Sequence, residues 1–114
     1  MEAFPVRSYE HIAYLLLHML KTSEKARFRL SRKSLQAISG RDVIKSALIR
    51  NIAEWMEGAA VILPLNRGGY VVISQESLEG VAPLKIADVL PDWRKLSIEE
   101  LRSEIEAGAD DQDE

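Results

Sequence analysis

The sequence predicts a small α+β domain, and three observations point to it. Apolar residues recur at helical spacing over residues 12–20 and 44–55. Two runs rich in β-branched residues, 60–65 and 70–73, flank a turn that contains two glycines. Of the 114 residues, 46% are hydrophobic and 29% are charged, which is the usual balance of a folded domain. We therefore expect one globular domain with a single core.

The first helix is expected to begin after Ser8, whose hydroxyl can accept hydrogen bonds from free backbone N–H groups. It is expected to end in the polar stretch 22–25. Basic and apolar residues then alternate from Arg27 to Leu30. This alternation predicts a short strand with Phe28 and Leu30 facing inward and Arg27 and Arg29 facing outward.

A second and a third helix are expected between this strand and residue 58. Ser31 is a favourable N-cap, and Gly40 suits the left-handed conformation that ends many helices. The third helix is expected to start around Arg41 or Asp42 and to end at Gly58. Its predicted inward stripe consists of Ile44, Leu48, Ile52 and Trp55.

The strongest local signal is a β-hairpin over residues 60–73, with its turn at Asn66-Arg67-Gly68-Gly69. Pro64 has no N–H to donate, so its strand is expected to have a free edge. Short helical fragments are expected after residue 74. Ser97 and Glu100 then have the spacing of a capping box, which predicts a last helix.

This order of elements resembles that of winged-helix domains from about Ser8 to Ser74: helix, short strand, helix, helix, hairpin. The resemblance rests on the tight Leu35 to Gly40 helix and turn, the amphipathic helix to Trp55 and the hairpin with its glycines. It implies a third helix in the major groove of duplex DNA and a hairpin along the backbone or minor groove. We thus expect a winged-helix-like domain with a C-terminal extension over 1–96, a helix over 97–107 and a disordered acidic tail over 108–114.

The net charge of −3 hides an asymmetry along the chain. Residues 7–70 contain 11 Lys or Arg against 5 Asp or Glu, a balance of +6. Residues 75–114 contain 4 against 12, a balance of −8. Binding to a polyanion responds to the local field rather than to the sum, so an acidic total does not exclude DNA.

Ten side chains are candidates for contact with DNA. Those expected to hold phosphates lie in a basic segment, and they are Lys25, Arg27, Arg29, Arg32 and Lys33. Those expected to face the groove are Arg41, Lys45, Ser46 and Arg50. Arg67 is expected to serve the hairpin tip. Each group has a simpler explanation, because charged strand edges, helix faces and turns are also common as solvated surface.

The sequence does not contain the usual marks of an enzyme, so we expect no catalytic activity and no cofactor. Cysteine is absent, and no glycine-rich phosphate loop or nucleophile elbow is present. His11 and His18 are seven residues apart, which is not the spacing of a shared metal ion, so we expect no metal site. The longest apolar run, 12–20, is too short for a membrane span and lacks the small-residue cleavage site of a secretory signal, so we expect a cytoplasmic protein without a membrane partner.

The resemblance to winged-helix domains also predicts how two copies of the chain associate. Because winged-helix regulators often pair through terminal helices, the resemblance implies a homodimer formed by the first helix and the Ser97 helix.

The function expected from the residues is binding of double-stranded DNA, as a small transcriptional regulator or nucleoprotein accessory factor. The alternative is a protein-binding adaptor, anchored through Trp55, Trp93 and Leu15-Leu16-Leu17 on a winged-helix scaffold. The acidic tail is either solvated or folded back as a competitor of DNA.

Overall fold

A computed structural model describes residues 5–112 of the chain, with side chains described as far as residue 107. These residues form two compact units, and the boundary between them follows Val81. The first unit contains α1 (Tyr9–Ser23), β1 (Arg27–Leu30), α2 (Arg32–Ser39), α3 (Ser46–Met56), β2 (Ala60–Pro64), β3 (Tyr70–Ser74) and α4 (Gln75–Glu79). The second contains α5 (Ile86–Val89), a 3-10 turn (Trp93–Lys95) and α6 (Ile98–Gln112). The predicted α+β class is confirmed.

Serine hydroxyls begin the first two helices, as the sequence predicts. Ser8 caps α1, and its Oγ accepts a hydrogen bond from the backbone N of His11 at 3.1 Å. Ser31 caps α2 in the same way, with its Oγ accepting from the N of Ser34 at 3.1 Å. Gly40 ends α2 with a φ of +73°, the left-handed conformation expected of it. These local signals were sufficient because each cap involves residues within one helical turn.

The predicted start of the third helix is wrong. Arg41 and Asp42 lie in a loop, Lys45 is the extended N-cap residue, and α3 begins at Ser46. A hydrogen bond from α2 holds this loop, since the side-chain amide nitrogen of Gln36 donates to the backbone O of Asp42 at 2.6 Å. This bond connects α2 to the loop, and α3 starts after it.

The inward face of α3 is also rotated from its predicted position. Leu48, Ile52 and Met56 are buried, whereas Trp55 is 49% exposed and Ile44 is partly buried. The i, i+4, i+8 spacing of the three buried residues places them on one stripe, and α3 packs against α1 through this side of the unit. Met56 therefore replaces Trp55 in the core.

The three strands form one antiparallel sheet in the order β1-β3-β2. Phe28 pairs with Val72 and Pro64 pairs with Tyr70. Because β2 pairs with β3 alone, the edge that carries Pro64 is free, as expected. The alternation predicted for β1 is confirmed as well, with Leu30 buried, Phe28 half-buried and both arginines exposed.

The second unit consists of short helical elements with exposed side chains. Ser97 Oγ accepts a hydrogen bond from the N of Glu100 at 3.1 Å, which confirms the predicted cap of α6. Within the described part of this unit, residues 82–107, no side chain is classed as buried, and Leu96 is the most sheltered. The backbone of α6 continues to Gln112, whereas the side chains of the predicted acidic tail lie outside the described residues. The tail's disorder stays a prediction.

Gly40 supports a close approach between the N-terminal segment and the end of α2, which makes a stability test possible. A Cβ at Gly40 would meet the carbonyl of Pro5 and lie 2.8 Å from the Cα of Val6. We expect Gly40→Ala to lower the free energy of unfolding by about 2 kcal/mol or more, from a positive φ combined with a steric clash. Gly58→Ala is the matched control, because its φ is +87° but its Cβ would meet nothing within 4 Å. Urea denaturation measures both, and equal losses would contradict the role of the close approach.

Candidate nucleic-acid interface

The outward arginines of β1 occupy the edge of the sheet opposite β2. Arg27 is paired with Ile73 and Arg29 with Val71, so the two arginines are two residues apart on one face, about 7 Å along the strand. Both are exposed. Arg29 is also anchored, because its Nη2 donates to the backbone O of Gly68 at 3.0 Å. This bond holds one guanidinium against the hairpin turn.

The hairpin turn lies close to the end of β1. Gly68 donates its N–H to the O of Leu65 at 3.1 Å, and Leu65 donates to the O of Gly69 at 3.0 Å. Gly69 has a φ of +83°, and a Cβ there would lie 2.9 Å from the carbonyl O of Leu30. A side chain at this position would therefore push the turn away from β1. Arg67, next to these glycines, is exposed at the tip.

The first turn of α2 completes a cluster of cations beside the hairpin. Arg32 and Lys33 are the first two residues of α2 and both are exposed. One depression is lined by Arg29, Ser31, Arg32, Lys33, Gly68 and Gly69. We call Arg29, Arg32 and Lys33 the tip cluster. Three of the cations predicted to bind phosphate thus lie beside the hairpin turn, one from β1 and two from α2.

Two cations of the tip cluster, Arg32 and Lys33, lie in the first turn of α2, where positive charge destabilises a helix. The N-terminus of a helix carries a partial positive charge, so acids stabilise the first turn and bases destabilise it, by about 0.3–1 kcal/mol each. The first turn of α2, which is described in full, holds no acid and two bases. An anion bound in the depression would remove this repulsion and accept hydrogen bonds from the same groups.

Lys25 lies away from the tip cluster. It precedes β1, so the length of the strand, about 13 Å, separates it from the hairpin turn. Lys25 borders a different depression, which also includes Glu24 and Glu76. The sequence placed Lys25 with the other phosphate-binding candidates, but the structure does not bring them together.

The remaining candidates are divided between α3 and the loop before it. Lys45, Ser46 and Arg50 are exposed, with Ser46 and Arg50 one turn apart on the same face. Arg50 borders a depression beside β2 that also includes Glu54 and Glu57. The first half of this helix face is therefore basic or neutral, and the second half is acidic.

Arg41 is engaged inside the protein. Its Nη1 donates to the backbone O of Arg7 at 3.0 Å and to that of Ser39 at 3.1 Å, and its guanidinium lies 5.5 Å from the centre of the Tyr9 ring. Arg7 donates in turn to the O of Ile38 at 2.8 Å. Sequence reasoning missed this pairing of the N-terminal segment with the end of α2, because the partners are 31 to 34 residues apart. Arg41 has a structural position rather than an open one.

Comparison with protein-family models, curated proteins and solved structures found no match. Across the described residues, no group of three or more His, Asp or Glu side chains has the geometry of a metal site. Over the same part of the chain, no helix combines the length and the apolarity that a membrane span requires.

Stability measurements can distinguish Arg41, which is held by contacts within the protein, from Arg50, which is exposed. We expect Arg41→Ala to lower the free energy of unfolding by about 1–2 kcal/mol, because two backbone carbonyls lose a charged donor. Arg50→Ala is the control, since its side chain is exposed and a change there should stay within about 0.5 kcal/mol. Thermal and urea unfolding of both variants provide the measurement. An Arg41 variant as stable as the control would mean that these contacts contribute nothing.

Proposed function

We propose that this chain is a non-enzymatic protein that binds double-stranded DNA through a winged-helix architecture. The observation that carries the proposal is the convergence of Arg29, Arg32 and Lys33 on the hairpin turn. Cations from separate elements that share one depression produce a local positive field, which favours a polyanion even when the chain as a whole is acidic. No cofactor is needed for this activity.

The winged-helix assignment is supported by the arrangement of the first unit. Its helices and strands follow the order helix, strand, helix, helix, hairpin, and β1 pairs with β3, the second strand of the hairpin. In this reading β2 and β3 form the wing and α3 is the helix presented to the major groove. Arg67 then lies at the tip of the wing and directly precedes Gly68, whose carbonyl accepts the hydrogen bond from Arg29.

Within this proposal the candidate residues have different tasks. The tip cluster and Arg67 hold backbone phosphates, because guanidinium and ammonium groups at a helix N-terminus and a turn match phosphate oxygens. Lys45, Ser46 and Arg50 face the groove from the first half of α3. Arg41 supports the loop that leads into α3 and acts indirectly. The cellular task is that of a small transcriptional regulator or of a nucleoprotein accessory factor.

The test uses a matched pair of double variants. Arg32-Lys33 lies in the tip cluster, and Arg94-Lys95 is an identical dipeptide in the second unit, so Arg32→Gln/Lys33→Gln and Arg94→Gln/Lys95→Gln change the net charge equally. We expect the first variant to reduce the log-log salt slope of duplex binding by about 1.8, the value for two lost phosphate contacts. The second should leave the slope unchanged. Fluorescence anisotropy over a salt series measures both, and equal slopes for the two variants would refute the proposed surface.

A second candidate function, protein binding, is favoured by the apolar surface of the second unit. Ile98, Leu101 and Ile105 follow helical spacing on α6 and are 73%, 38% and 70% exposed. The homodimer expected from the sequence would use this stripe together with α1. In α1, however, Ile12 and Leu16 are fully buried in the core, so this side of α1 is not available to a second copy.

The oligomeric state tests this candidate directly. We expect light scattering of the full chain to give twice the 12.8 kDa mass of one copy. Ile98→Gln/Ile105→Gln should reduce it to one copy, since a two-fold interface loses each substituted side chain twice. Lys85→Gln, also in the second unit, is the control and should leave the dimer intact. A full chain that is monomeric at every concentration would remove the homodimer and leave the apolar stripe for a different protein.

A further inference from the structure

We infer that Asn51 is a specificity-determining residue of α3 and that it reads adenine in the major groove. The inference rests on the proposed function and adds a residue to it, because only Lys45, Ser46 and Arg50 have so far been assigned to the groove. It is carried by the position of Asn51 on α3 and by a side-chain amide that has no partner within the described residues.

Asn51 lies on an exposed stripe of α3. Ala47, Asn51 and Trp55 follow one another at intervals of one turn, and both Ala47 and Trp55 are exposed, Trp55 by 49%. Successive residues of a helix project about 100° apart, so Arg50 and Asn51 point in different directions, and Ala47 projects between them. Arg50 and Asn51 thus flank Ala47 on the exposed side of the helix.

The side-chain amide of Asn51 is open to a ligand. Within the described residues no hydrogen bond engages it, whereas the amide of Gln36 donates to the backbone O of Asp42. Side-chain N and O atoms that are both buried and unpartnered do not occur in the described part of the chain. The amide of Asn51 therefore reaches the protein surface, although the residue as a whole is half-buried.

The surroundings of Asn51 favour a fixed contact. Partial burial restricts the rotamers of a side chain and so lowers the entropy that is lost when the side chain binds. Side chains on a helix lean toward its N-terminus, so Asn51 leans over the turn that carries Ala47. Since the side chain of Ala47 is a single methyl group, a base edge has room beside the amide.

Adenine is the base whose major-groove edge matches a side-chain amide. It presents an acceptor, N7, beside a donor, the N6 amino group. The amide of Asn51 donates through Nδ2 and accepts through Oδ1, so both bonds can form in one plane. Guanine presents two acceptors, while cytosine and thymine each present one hydrogen-bonding group, so these bases leave one amide atom unpaired. One bidentate contact discriminates between bases by about 5-fold to 150-fold.

The other groove-facing side chains do not select adenine. Lys45 and Arg50 are donors only, so they bind phosphate or guanine, and the hydroxyl of Ser46 tolerates more than one base. Carboxylates are acceptors only and match cytosine. In residues 41–56, all of which are described, Asn51 is the one residue with a side-chain amide. An adenine preference at this surface therefore depends on Asn51.

The test is selection from a pool of duplexes with a randomised central segment, with the full chain and its variants at one salt concentration. We expect the wild-type consensus to contain an adenine preferred by about 5-fold to 150-fold, and Asn51→Ala to lose that preference. Asn66→Ala is the matched control, because it removes an exposed amide from the hairpin turn and should keep the preference. A consensus without adenine, or an adenine preference that survives Asn51→Ala, would overturn the inference. Absence of binding to every duplex would instead refute the proposed function.

Asn51→Asp separates base reading from a structural role of this side chain. A carboxylate only accepts hydrogen bonds and matches the N4 amino group of cytosine, so the preferred base at this position should change from adenine to cytosine. Asn51→Ala should keep the wild-type salt slope, because the phosphate contacts of the tip cluster remain. Thermal unfolding checks that both variants fold. An Asp variant that folds and still prefers adenine would contradict the assigned role.

Discussion

The pairing of β1 with β3 is the constraint on which the candidate interface depends. It joins segments about 40 residues apart, and its register places Arg29 opposite Val71 and Leu30 opposite Tyr70. In this register the glycines of the hairpin turn lie against the end of β1 at Leu30, and α2 begins two residues after that strand, at Arg32. The position of the tip cluster beside the hairpin turn is therefore a consequence of sheet register, and a shift by one residue would turn Arg29 toward the core.

Arg32 and Lys33 of the tip cluster oppose the stability of α2, and the proposed binding of DNA would offset this cost. A helix beginning with Arg32 and Lys33 opposes its own dipole, and a third cation, Arg29, adds further repulsion. Ser31 offsets part of this cost, because its hydroxyl caps the N of Ser34 and also donates to the hydroxyl of that residue at 2.9 Å. In the proposed interface, a bound anion would remove the part of the repulsion that Ser31 does not offset.

Local chemistry made most of the first unit predictable, whereas contacts distant in sequence did not. Serine caps, the glycine at the end of α2 and the hairpin depend on neighbouring residues, and all were predicted correctly. The loop before α3 depends on Gln36 and on Arg41, whose partners lie elsewhere in the chain. The rotation of α3 was missed because Trp55 and Met56 are adjacent apolar residues, and periodicity alone does not decide which of them faces the core.

The number of basic residues in the sequence overstates the positive electrostatic potential at any one site on the protein surface. At physiological salt the Debye length is about 8 Å, so an exposed charge farther away contributes little. Lys25 is separated from the hairpin turn by the length of β1, about 13 Å, and is screened from the tip cluster for that reason. The balance of +6 over residues 7–70 is thus a sum over separate patches. In the proposed interface, the charges that would meet a phosphate backbone are those that β1 and the start of α2 place beside the hairpin turn.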